Sequence, residues 1–182
     1  MGKLGQAKSA KTVVTALMTV DAAGTPERLG GFYTNTTIAI VAGTPDTITD
    51  SDSGFLNKMF KAGMKIKISG TVADDGVYTI ASVAAGTITL TTGGGFTGEL
   101  AGSAITIECM DKIFCKSVLI QAFEANTGNV VTGDANIDLT TGQGTILTPL
   151  NSETYEGVCL DDLYLDAAVN DEGVSVKYEE SL

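Results

Sequence analysis

The side chains of this sequence best suited to chemistry are two groups of aspartates and three cysteines. Asp50-Ser51-Asp52-Ser53-Gly54 sets hard oxygen donors at alternate positions, as the opening of a calcium loop does. The glycine arrives one place early, however, and Lys61 stands where a bidentate glutamate would complete the shell. The same residues read as a polar cluster at a helix N-terminus, where negative charge is favoured. Asp161, Asp162 and Asp166 form the second group, offering oxygens to a cation or paired acids for glycoside cleavage. Carboxylates flanking Tyr164 at a strand end also serve to block edge pairing, and no Trp is present to line a sugar cleft. Cys109, Cys115 and Cys159 fit no metal-binding spacing and read as buried thiols.

The absences narrow the chemistry further. The sequence has no His, which removes the commonest general base and with it any Ser-His or Cys-His nucleophile. Gly93-Gly94-Gly95 is not followed by Gly-Lys-Ser/Thr, so it reads as a flexible hairpin tip rather than a phosphate loop. Neither an enzymatic activity nor a cofactor is expected.

Charge addresses partners. A net charge of −11 and a pI near 4.2 exclude a protein that wraps nucleic acid, which needs concentrated Lys and Arg. Lys3, Lys8 and Lys11 stand apart in a stretch, residues 1–11, with no apolar periodicity. That stretch is expected to be a flexible arm that orders only against a partner. Its three lysines are the candidate contacts, meeting carboxylates on a neighbouring copy or another assembly protein. Acidic residues crowd the last third, from Asp161 to Glu180. No apolar run is long enough to cross a bilayer, and no apolar core follows the first lysines as a secretion signal requires. No membrane partner is expected.

The elements that must position these groups are short strands. The 182-residue chain has 22 Gly and recurrent Thr, Val and Ile, a mixture suited to strands and tight turns. Strands are expected at 12–20, 36–41, 64–69, 76–83, 87–91, 103–108, 113–124, 129–132, 135–139, 144–147, 154–159, 162–167 and 173–178. Met64, Ile66 and Ile68 alternate with Lys65 and Lys67, the mark of a half-buried strand. One helix of about two turns is expected, capped by Ser53 and ended by Gly63, with Phe55, Leu56, Met59 and Phe60 on its packed face. The core should hold Phe55, Met59, Phe60, Ile66, Ile68, Tyr78 and Ile80, and separately Val118, Ile120, Leu163, Leu165, Val174 and Val176.

The strand-and-turn rhythm breaks off and resumes around an internal stretch. The expected architecture is therefore all-β: an outer antiparallel β-sandwich or barrel, residues 12–33 plus 109–182, interrupted by an inserted small β-module. The insert spans 34–108 and carries the short helix.

The insert resembles a small module recurring in tailed-bacteriophage virion proteins. The resemblance rests on DTITDSDSGF, FKAGMKIKISG, DDGVYTIASV and TITL. The outer part, with CKSVLIQAFEANTGNVVTGD and LDDLYLDAAVNDEGVSVKY, is similar to another phage virion β-domain. Together the resemblances cover nearly everything after residue 12 and imply a virion structural protein made in the host cytoplasm. Within that class a capsid decoration or cement protein, bound in many copies to the major capsid protein or to its neighbours, is expected. A tail, baseplate or head-tail connector component is the alternative, and a carbohydrate-binding adsorption module a third. An enzyme comes last.

Overall fold

Runs rich in Thr, Val and Ile become antiparallel strands in the computed structural model, which describes residues 13–91 and 95–181. The first are β1 (Val13–Thr19), β2 (Glu27–Arg28), β3 (Phe32–Asn35), β4 (Ile38–Val41) and β5 (Thr47–Asp50). After a segment of turns come β6 (Lys65–Ser69), β7 (Gly76–Ala84), β8 (Thr87–Leu90) and β9 (Ile105–Cys109). Next are β10 (Phe114–Ala122), β11 (Val130–Gly133), β12 (Thr145–Leu147) and β13 (Ser152–Cys159). A single 3-10 turn, Leu160–Asp162, leads into β14 (Tyr164–Ala167) and β15 (Gly173–Glu180).

The protein is all-β, with three antiparallel sheets. Two have four strands, in the orders β1-β15-β10-β13 and β12-β11-β14-β2. The third has seven, in the order β3-β9-β6-β7-β8-β5-β4. The seven-stranded sheet is drawn wholly from residues 32–109, and both smaller sheets from the residues on either side. Phe32 lies opposite Glu108 and Asn35 opposite Ile105, so the chain enters and leaves this sheet on neighbouring strands. One apolar cluster nevertheless runs through all three sheets, from Ile66 and Ile68 to Val118, Ile120, Leu165 and Val176.

Alternation accounts for most of this burial. Ile66 and Ile68 are buried while Lys65 and Lys67 are exposed. In β10 the period is broken, since Cys115 and Val118 are both buried although three residues apart. A bulge between Cys115 and Ser117 in the pairing with β15 inserts the extra residue that allows it. Every residue expected in the core is buried except Tyr78, which is partly buried and packs against it. Ile120 is fully buried opposite Val176 and Glu153. Ile120→Ala is expected to lower the unfolding free energy by about 2–5 kcal/mol in a urea titration. A change under roughly 0.5 kcal/mol would mean that Ile120 is no core residue.

The expected helix is absent. Residues 51–59 form successive turns, with left-handed backbone at Ser53 (φ 60) and Met59 (φ 65). A capping serine needs extended backbone, which Ser53 does not have. Asp50 takes over the role instead, accepting from Asp52 N at 3.2 Å and Gly54 N at 2.8 Å. Three bonds of differing span follow instead of a helical ladder, Lys58 N to Gly54 O at 3.0 Å, Met59 N to Leu56 O at 3.1 Å and Phe60 N to Phe55 O at 3.3 Å. So short a segment gains little from helix propagation, and packing decides its shape. Phe55, Met59 and Phe60 reach the core, whereas Leu56 is left 49% exposed.

Other differences have similar causes. Residues 135–139 form no strand, because Asp134 and Asp138 capture the backbone N–H groups of Asn136 and Thr140 and hold turns. Strands β2, β3 and β5 lie where none was expected. The strand expected from Asp162 begins two residues later, after the 3-10 turn.

Candidate functional site

The charged groups converge where the seven-stranded sheet meets the loop after β1. Lys58 sits in the turn segment among Phe55, Met59 and Phe60 and is only 3% exposed. Its ammonium lies 3.0 Å from Asp21 Oδ2, is ion-paired with Glu27, and donates to the Thr19 carbonyl at 3.3 Å. The ring of Tyr33 lies 5.7 Å from it. Tyr33 in turn donates its hydroxyl to Asp50 Oδ2 at 3.2 Å and accepts from Asn35 Nδ2 at 2.7 Å.

Two clefts flank this cluster. One, of about 420 Å³, is lined by Asp21, Glu27, Arg28, Phe32, Tyr33 and Tyr164 among others. The other, of about 470 Å³, includes Asp21, Asn35, Asp52, Lys58 and Asp171. In the first, Arg28 pairs with Glu108 at 3.1 Å while its guanidinium covers the Phe32 ring at 5.2 Å. A further pair, Lys61 with Glu180, lies on the other side of the turn segment. Each of these pairs joins a residue within 32–109 to one outside it. The cluster therefore braces the sheets against one another.

The groups of the cluster are held by one another. Burial pushes the Tyr33 hydroxyl up to about 12, opposed by the Asn35 bond and aided by the Asp50 charge, so the phenol keeps its proton at neutral pH. The Lys58 ammonium is met by three acceptors, the carboxylates of Asp21 and Glu27 and the Thr19 carbonyl.

The aspartates singled out by sequence have separate roles. Asp50 is buried and also accepts from Thr37 Oγ1 at 2.6 Å, so its carboxylate organises the β5 end and the turns after it. Asp52 accepts from Asn35 Nδ2 at 3.1 Å. Asp166 is buried and accepts from Gly24 N at 2.8 Å and Ala167 N at 2.7 Å. Asp162 lies at the end of the 3-10 turn, and Asp161 contacts the Cys159 thiol at 3.6 Å. Among the described residues no three His, Cys, Asp or Glu side chains gather as metal ligands. Cys109, Cys115 and Cys159 are buried free thiols, and burial pushes each of them up, Cys115 to about 11. Lys3, Lys8 and Lys11 lie outside the described residues.

Asp161 gives a pH prediction. Burial raises its carboxyl above the usual range, the Arg28 charge opposing, and its Oδ1 has no hydrogen-bond partner. The folded state thus holds this proton at pH values where the unfolded chain has released it. The resulting stability deficit grows as pH rises from the unfolded pKa through the folded one. Asp161→Asn is expected to raise the melting temperature at neutral pH, with the gain vanishing in acid where the wild-type carboxyl is protonated too. Thermal melts of both proteins across that range check it, and an equal shift at every pH would contradict it.

The bracing residues Asp21, Glu27, Arg28 and Lys58 were not evident from the sequence. The one available signal was Lys58 itself, a lone cation inside the apolar run Phe55-Leu56-Asn57-Lys58-Met59-Phe60. No family model, curated protein or solved structure matches this chain.

Proposed function

We propose that this chain is a non-enzymatic structural protein of a tailed-phage particle, a decoration or cement protein carried in many copies on the head. The observation that carries the reading is the use of the charges at the junction between the sheets. Lys58, Arg28 and Lys61 engage carboxylates across the junction between sheets, which gives a braced, acidic β-body. Such a body suits repeated attachment to a lattice, and the two phage-like stretches of sequence point the same way. Sugar binding gains nothing from the junction cleft, because Arg28 occupies the face of Phe32 that a sugar ring would need. A tail, baseplate or connector position rests on the same features and differs in copy number.

Quantifying the protein in purified particles against the major capsid protein tests the reading. Copies comparable to the capsid subunits mean decoration, and a handful or dozens mean the tail or connector. Absence from the particle removes the proposal. Within the decoration reading, removing residues 1–11 is expected to lower occupancy most at low salt, since each exposed lysine pair contributes only about 0–1 kcal/mol and is screened. Unchanged occupancy across a salt series would eliminate Lys3, Lys8 and Lys11 as contacts.

A further inference from the structure

Lys58 is the one buried lysine among the described residues, and two carboxylates meet it. The other paired lysines, Lys61 and Lys116, are more exposed, and each is paired with one carboxylate, Glu180 or Glu179. The segment that carries Lys58 is anchored in the core by Phe55, Met59 and Phe60, and the Tyr33 ring lies 5.7 Å from the ammonium.

The two carboxylates are held differently. Glu27 bridges the other two residues, its Oε2 paired with Lys58 and its Oε1 accepting from the backbone N–H of Asp21 at 2.6 Å. Asp21 Oδ2 lies 3.0 Å from the lysine nitrogen, and among the described residues no other donor holds its carboxylate. At 53% exposed, that side chain is able to turn. The cluster thus holds an amine, a carboxyl carbon within a small rotation of it, and a second acid touching both residues. Those are the parts needed to make an amide.

We propose that Lys58 and Asp21 join through an intramolecular amide bond, with Glu27 carrying the proton. The ion cluster is the state before this step. Glu27 takes a proton from the ammonium, and the freed amine attacks Asp21 Cγ. The Nζ–Cγ bond forms, Glu27 returns its proton to an Asp21 oxygen, and the Cγ–O bond breaks. The oxygen leaves as water with two of the three ammonium protons, and the third stays on the amide. Glu27 ends as it began, and no oxidant, reductant or co-reactant is consumed. Opposite charges vanish together, so no ion is left to bury at Lys58. Placement substitutes for activation, since well-oriented intramolecular reactions reach effective concentrations of about 10⁵–10⁸ M. Asp21 lines both clefts beside the cluster, which give the released water a way out. The bond fastens the loop after β1 to the turn segment and makes permanent the junction that the ion pairs brace.

The proposal does not depend on where the protein resides and is tested on the isolated full chain. Its denatured mass, followed during incubation at neutral pH, should fall by one water. Trypsin does not cut after an acylated lysine, so residues 12–28 and 29–61 should be released as one branched peptide joined at Asp21 and Lys58. Asp21→Ala removes the carboxyl carbon and should keep its full sequence mass. Glu27→Gln, its fold checked by a cooperative melt, should slow linking by about 10²–10⁴-fold, the usual contribution of a positioned acid–base group. Unlinked protein, isolated early, is the reference for substitutions at Lys58. A wild-type chain that keeps its full mass throughout overturns the proposal. So does a water lost without the branched peptide, as cyclisation at Asp75-Gly76 would give. A branch point at Glu27, or Glu27→Gln linking at the wild-type rate, overturns it as well.

Discussion

Replacing Lys58 by Met is expected to lower the unfolding free energy by about 3–5 kcal/mol, the usual result of removing one partner from a buried ion pair. The side chain keeps nearly its length and apolar stem, so packing changes little. What changes is the surroundings of Glu27, which is 18% exposed and loses its cation, and of the Thr19 carbonyl, which loses a donor. Asp21 is 53% exposed and is hydrated once released, so the penalty falls mainly on Glu27. The variant Lys58→Met/Glu27→Gln should therefore recover much of the loss, because an amide is far cheaper to bury than an unpaired carboxylate. Urea titrations of the three proteins decide the matter. A single variant within about 0.5 kcal/mol of wild type would mean that the junction pairs are only surface decoration.

The strands and their core faces were largely legible, because a half-buried strand writes its orientation into every second residue. Ile66 and Ile68 in β6, and Val174 and Val176 in β15, needed only that period. What was illegible depended on partners distant in sequence. The stretch Thr47–Asp50 is a strand because Ile48 pairs with Ile40 on one side and Ile88 on the other. Locally, one isoleucine between two threonines announces neither strand nor helix. The break in alternation near Cys115 in β10 is similarly set by a bulge against β15 that no local pattern announces.

The candidate site was less legible still, for a physical reason. Asp50 reads either as a cation ligand or as part of a polar cluster at a helix start, and its actual partners are donors: Tyr33, Thr37 and the backbone N–H groups of Asp52 and Gly54. A carboxylate surrounded by donors and one surrounded by ligands look alike in a sequence. The lone cation Lys58 carries only a weak signal in the sequence, because one charge on a short helix normally faces solvent. Loss of the helix turned it inwards, towards carboxylates some thirty residues earlier.

Phe55→Ala should cost about 3–5 kcal/mol, and its effect should extend beyond the cavity it leaves. Phe55 is fully buried and meets the edges of two rings, Tyr33 at 6.0 Å and Phe60 at 6.3 Å. The turn segment around it has no helical ladder and two left-handed residues, so local bonding holds it weakly. Its anchors are Phe55 with its neighbours in the core and Lys58 in the ion cluster. Removing the ring should loosen the whole segment and with it the placement of the ammonium. Hydrogen exchange at the Lys58 amide, which donates to Gly54 O at 3.0 Å, should then rise more than at Ile66 in the adjoining sheet. The two anchors should also be coupled, so that Phe55→Ala/Lys58→Met falls short of the sum of the single losses by more than about 0.5 kcal/mol. Strict additivity, together with uniform exchange across the segment and the sheet, would show that the ring fills space and does not position Lys58.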